Sequence, residues 1–97
     1  MGYHVLTAED GQEGLAILER EEGIRLLFSD VSLPKGINGP ELAARARLLH
    51  PGLPVLLSSG YAGNARIEID NLGMRVAVLN KPYYQDQLAA VIRDLLQ

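Results

Sequence analysis

Ninety-seven residues suffice for one small domain with one core, and 47% apolar against 22% charged residues excludes a disordered chain. The absence of cysteine excludes disulfides and thiolate metal sites and makes a reducing cytoplasm the expected compartment. No apolar run reaches bilayer length, Met1-Gly2-Tyr3-His4 lacks the basic start of a signal peptide, and a net charge of −3 speaks against direct nucleic-acid binding.

Tyr3 to Ala8 alternates and is rich in strand formers, so it predicts a strand. Asp10 then offers an N-cap, with Glu13 at capping-box spacing, to a helix carrying Leu15, Ile17 and Leu18 inward and stopping near Gly23. Ile24 to Phe28 is apolar and mostly unalternated, the pattern of a strand covered on both faces. Ser29 to Gly39 is dense in turn residues. Pro40 suits the first turn of a second helix, which presents Leu42, Ala43, Ala46 and Leu49 and ends at His50-Pro51-Gly52. Pro54 introduces a third buried strand, Val55 to Leu57, closing on Ser58-Ser59-Gly60. Ala62 to Leu72 predicts a helix stopped by Gly73, and Val76 to Leu79 a fourth strand. After Lys81-Pro82, the spacing of Leu88, Val91, Ile92 and Leu95 is that of an amphipathic helix.

This alternation predicts an α/β fold: a flavodoxin-like, doubly wound parallel sheet of about four strands and four helices, with a ligand crevice at the strands' carboxyl ends. Three polar groups converge on that edge. Asp30 lies just past the second strand, Ser58 and Ser59 at the end of the third, and Lys81 just past the fourth. A carboxylate there can bind a metal or attack phosphorus, an ammonium offsets negative charge, and a hydroxyl donates to a phosphoryl oxygen. Taken singly, each has a plainer reading, as turn former or solvated cation. Their shared position at equivalent strand ends gives them weight.

These residues resemble the receiver domain of two-component response regulators, from Tyr3 to the C-terminus. Leu26-Leu27-Phe28-Ser29-Asp30-Val31-Ser32-Leu33-Pro34, followed by Gly39-Pro40-Glu41-Leu42, resembles the segment around the phosphoacceptor aspartate. Its extra loop residue is similar to receivers fused to hybrid histidine kinases. Pro54-Val55-Leu56-Leu57-Ser58-Ser59-Gly60-Tyr61-Ala62 is similar to the switch-hydroxyl strand, and Val78-Leu79-Asn80-Lys81-Pro82-Tyr83 to the lysine–proline motif.

The resemblance implies roles. Asp30 would accept a phosphoryl group from a histidine kinase or phosphotransfer protein and ligate Mg²⁺, with the Ser32 backbone carbonyl as a further metal ligand. Ser59 would supply the switch hydroxyl, with Ser58 second, and Lys81 would hold a phosphoryl oxygen across a cis Lys81–Pro82 bond. Val78 stands where the family's rotating aromatic is expected, which leaves Tyr61 to take part of the readout. The match makes residues 1–97 a receiver-like domain that begins at the family's second strand, incomplete at the N-terminus. The acidic pair that closes the family's first strand is then absent, which predicts weakened Mg²⁺ binding. Glu9 and Asp10 are adjacent acids after a different strand, and rank below Asp30 as metal ligands. The missing strand would lie between the first two strands here, and the gap can close by direct pairing of those two, by exchange of the N-terminal hairpin with a second copy, or by edge packing across a dimer. The expectation is a homo-oligomer, in the cytoplasm and without membrane attachment. Two other readings compete: a degenerate receiver that binds partners without phosphate, and a hydrolase built on Asp30, His50 and Ser59.

Overall fold

Apolar runs become strands here, and the polar residues between them set where the helices begin. The structure, a computed structural model, describes residues 4–33, 36–60 and 75–96. In chain order these form β1 (Val5–Ala8), α1 (Gly11–Arg20), β2 (Leu26–Asp30), α2 (Gly39–Leu49), β3 (Val55–Ser59), β4 (Val76–Asn80) and α3 (Gln85–Leu96). The helix predicted over 62–72 lies outside the described residues, as does Tyr61.

The helix starts are fixed by side-chain caps. The Asp10 carboxylate accepts from the backbone N–H groups of Gln12 (2.8 Å) and Glu13 (3.2 Å), taking two of the donors that α1 leaves unpaired. Asn38 does the same for α2, accepting from the Glu41 N–H at 2.8 Å, with Pro40 in the first turn. The chain leaves α1 at Glu21 and turns through Gly23, whose φ of 83° suits glycine.

The four strands are parallel and stand in the order β1-β2-β3-β4. Leu6, Leu27, Val55 and Val76 pair across all four in one row. Paired residues share a face, so this row, with Ala8 and Leu57, packs against Leu18 of α1 and Leu42, Ala43 and Ala46 of α2. Leu26 and Leu56 alternate to the other face, where α3 packs on β3 and β4. Helices therefore cover both faces of the sheet, and its carboxyl edge stays accessible.

Of the three ways to close the gap beside β1, the structure shows direct pairing. The family's order would interpose a strand between β1 and β2, but here they pair directly, from Val5 opposite Leu26 to Ala8 opposite Ser29. Direct pairing satisfies the backbone N–H and C=O groups that a gap would strand. The expectation of self-association rested on that gap and loses its premise. The second strand also starts and ends later than its composition suggests, at Leu26–Asp30 rather than Ile24–Phe28. Pairing of Asp30 with Ser58 carries the ladder on, so the carboxylate sits on the strand itself. The amphipathic C-terminal helix is present, but none of its side chains is fully buried. It packs over β4, whose own residues are at most half-buried.

Candidate functional site

The ends of β2, β3 and β4 bring three of the predicted residues together. Asp30 closes β2 opposite Ser58 of β3. The Val31 N–H donates to the Ser58 carbonyl (2.9 Å) and the Lys81 N–H to the Ser59 carbonyl (2.8 Å), so backbone bonds fix all three strand ends. On this frame the Ser58 hydroxyl donates to Asp30 Oδ1 at 2.6 Å, and Lys81 Nζ lies 2.8 Å from the same oxygen. Asp30 Oδ2 takes part in neither contact. The Lys81–Pro82 peptide is cis, as the resemblance implied.

The hydroxyl beside Asp30 belongs to Ser58 and not to Ser59, the serine placed first. The reason is strand alternation. Both serines are buried, but Asp30 and Ser58 are a register pair on one face, while Ser59 is one step out of phase. Ser32 follows in the exposed bend after β2. Val78 is half-buried against the core. His50 stands at the opposite end of the sheet, with Nε2 2.8 Å from the Leu18 carbonyl oxygen. The Asp30–His50–Ser59 triad is therefore not assembled.

The end of β2 and the start of α2 are locked together beside Asp30. The Gly39 N–H donates to the Val31 carbonyl at 2.9 Å, and a Cβ at Gly39 would strike the Asp30 carbonyl oxygen. Only glycine allows that approach of helix to strand.

Burial alone would raise the Asp30 pKa, but hydrogen bonds from Lys81 and Ser58 and the charge of Lys81 outweigh it and hold the carboxyl below its usual range. The same contact raises Lys81, first through the hydrogen bond to Asp30 and then through its charge. Asp30 is thus ionised at neutral pH, the state a nucleophile needs. Both side chains are nearly half exposed, 46% for Lys81 and 44% for Asp30, so their pairing adds little to stability. Its pH dependence has a defined sign. A depressed carboxyl loses its stabilising contribution as pH falls below about 4, and a raised ammonium loses its own as pH rises past about 10. In thermal melts, Asp30→Asn should therefore flatten the acid limb below about pH 4 and match the parent more closely there than at neutrality. Parallel acid limbs would show that Asp30 is not linked to folding.

A crevice of about 310 Å³ opens over this cluster, lined by Thr7 and Glu9 from the end of β1, by Asp30 and Ser58, and by Lys81 and Tyr83. Glu9 and Tyr83 were not among the leading site residues. Glu9 follows β1, and only the β1–β2 pairing, which the local sequence does not encode, shows that β1 ends beside Asp30. Among the described residues, no three or more acidic or histidine side chains group as a metal cage. Mg²⁺ does not require one, since it keeps several waters and uses one or two carboxylates with phosphate oxygens. The open Oδ2 of Asp30 and the backbone carbonyl of Ser32 are hard oxygen donors of the required kind, so the residues present fit the ion.

Comparison with known proteins gives a consistent result. The family model for the response regulator receiver domain matches residues 1–93. The chain is 32% identical over 96 residues to the transcriptional regulatory protein GlrR of Escherichia coli K12, covering 99% of this chain but 21% of that protein. It is 32% identical to the response regulator receiver protein CpdR of Brucella abortus, covering 98% of this chain and 78% of that one. Among solved structures, the receiver domain of the hybrid histidine kinase CckA superposes with a TM-score of 0.78 at 40% identity, covering 99% of this chain and 79% of that chain.

Proposed function

The chain belongs to the response regulator receiver domain family, and we propose that it acts as a phosphoacceptor module in a two-component phosphorelay. The observation that carries this reading is an ionised Asp30 with one oxygen held by Lys81 and Ser58 and the other open to a crevice. The donor is the phosphohistidine of a histidine kinase or phosphotransfer protein. An Asp30 carboxylate oxygen attacks phosphorus as the P–N bond breaks. The bonding pair leaves with the imidazole nitrogen, and an acyl phosphate forms on Asp30.

Lys81 already stands where the incoming charge, roughly −1.5 to −2, would be offset. The Ser58 hydroxyl is placed to follow the acceptor oxygen, and Ser59 keeps its proposed switch role only if β3 turns at its end. Asp30 and the Ser32 carbonyl would hold Mg²⁺, which when bound neutralises charge on the phosphoryl oxygens. The module signals through a partner and turns over no substrate of its own. Among the described residues, no helix is long and apolar enough to cross a membrane. A cytoplasmic phosphorelay without direct nucleic-acid contact is the setting we propose.

Incubation of the chain with a small-molecule phosphodonor and Mg²⁺, followed by intact mass, should show one acid-labile phosphate. Absence of uptake at every Mg²⁺ concentration would overturn the reading and leave a phosphorylation-independent interaction module.

A further inference from the structure

We infer that Glu9 is the second carboxylate of a divalent-cation site shared with Asp30; this deepens the phosphoacceptor reading and rests on it. The argument starts from the sheet. Ala8 pairs with Ser29, so the next residue of each chain segment, Glu9 and Asp30, stand level at two adjacent strand ends. Both line the same crevice of about 310 Å³. Of the two adjacent acids after β1, Asp10 is already committed, because its carboxylate caps α1. Glu9 is exposed and has no ion pair or hydrogen bond among the described residues.

Asp30 supplies the matching oxygen. Lys81 and Ser58 both use Oδ1, which leaves Oδ2 for another cation. Two carboxylates against a single ammonium leave the crevice with excess negative charge and hard oxygen donors. That chemistry selects Mg²⁺ or Mn²⁺, which bind through one or two carboxylates, water and phosphate oxygens. The site is thereby assembled from β1, the strand that lies directly beside the acceptor strand in this sheet.

Binding of Mn²⁺ to the unphosphorylated 97-residue chain, read from the loss of the free-ion electron paramagnetic resonance signal, is the test. Glu9→Gln should weaken binding by roughly tenfold or more, because charge count sets affinity at such sites. Asp10→Asn should bind as the parent does, since asparagine also caps a helix. Circular dichroism of each variant checks that the fold is retained, as expected for an exposed glutamate. Equal Mn²⁺ affinity in the parent and Glu9→Gln, or no Mn²⁺ binding by the parent, would overturn the inference. Phosphate uptake measured on the same samples separates the two ideas: uptake with unchanged Mn²⁺ affinity in Glu9→Gln removes Glu9 alone, whereas no uptake by the parent removes the phosphoacceptor reading.

Discussion

Replacing Asp30 by asparagine should abolish phosphoryl uptake completely while leaving the fold in place. The amide has no charged oxygen with which to attack phosphorus, and among the described residues no other carboxylate contacts both Lys81 and a serine hydroxyl. The fold should survive for two reasons. The amide carbonyl of the variant can still accept from the Ser58 hydroxyl, and the lost pairing with Lys81 is nearly half exposed and contributes little. Intact mass after treatment with phosphodonor should therefore show no adduct in Asp30→Asn. An adduct of undiminished amount would place the phosphate elsewhere and remove Asp30 from its role. The two serines can be compared in the same assay. Ser58→Ala should change the rate of uptake more than Ser59→Ala does, since of the two hydroxyls that of Ser58 is the one on the Asp30 carboxylate.

Leu27→Ala should be a severely damaging truncation of the core. Leu27 is fully buried at the centre of the row that joins Leu6, Val55 and Val76, and it lies in the cluster that α1 and α2 complete. Neighbours fixed in strand register cannot collapse into the space, so the loss should fall in the range of roughly 2–5 kcal/mol. A small domain holds only about 5–15 kcal/mol in total. Urea denaturation should show a large fall in midpoint with little change in slope. A loss below about 1 kcal/mol would mean that the row is not packed as described.

The composition of this chain announces its fold class, but not which strand stands beside which. The N-cap at Asp10, the proline in the first turn of α2 and the spacing from Leu88 to Leu95 are local signals, and local signals are legible in sequence. Strand neighbours are set by pairing across the sheet, which is why β1 and β2 meet directly where closure through a second copy was expected. The same limit explains the end of β2. Ser29-Asp30-Val31 has turn composition, yet the backbone of Ser58 draws it into the ladder. Asp30 and Lys81 were legible because each closes or follows a strand in a recognisable motif. The choice between Ser58 and Ser59 was not, because it depends on which residue shares the phase of Asp30 across the sheet. The half-burial of α3 was also hidden. Periodicity marks an apolar face but not how completely the sheet edge beneath will cover it.

A sheet whose spatial order is the chain order has a consequence for assembly. Among the described strands, none must be threaded between two neighbours that have already met. β2 can add to β1, β3 to β2 and β4 to β3, each by closing a single crossover onto an existing edge. The pairings Val5 with Leu26, Leu27 with Val55 and Val55 with Val76 are all between consecutive strands, which limits the chain entropy spent on each closure. The strand–helix–strand unit from β1 to β2 can form as soon as its residues emerge, and later units extend it in the direction of synthesis. The Asp30 end of β2 is laid down in that unit. The hydroxyl of Ser58 and the ammonium of Lys81 arrive one strand at a time, so the site is complete only when the last strand has docked.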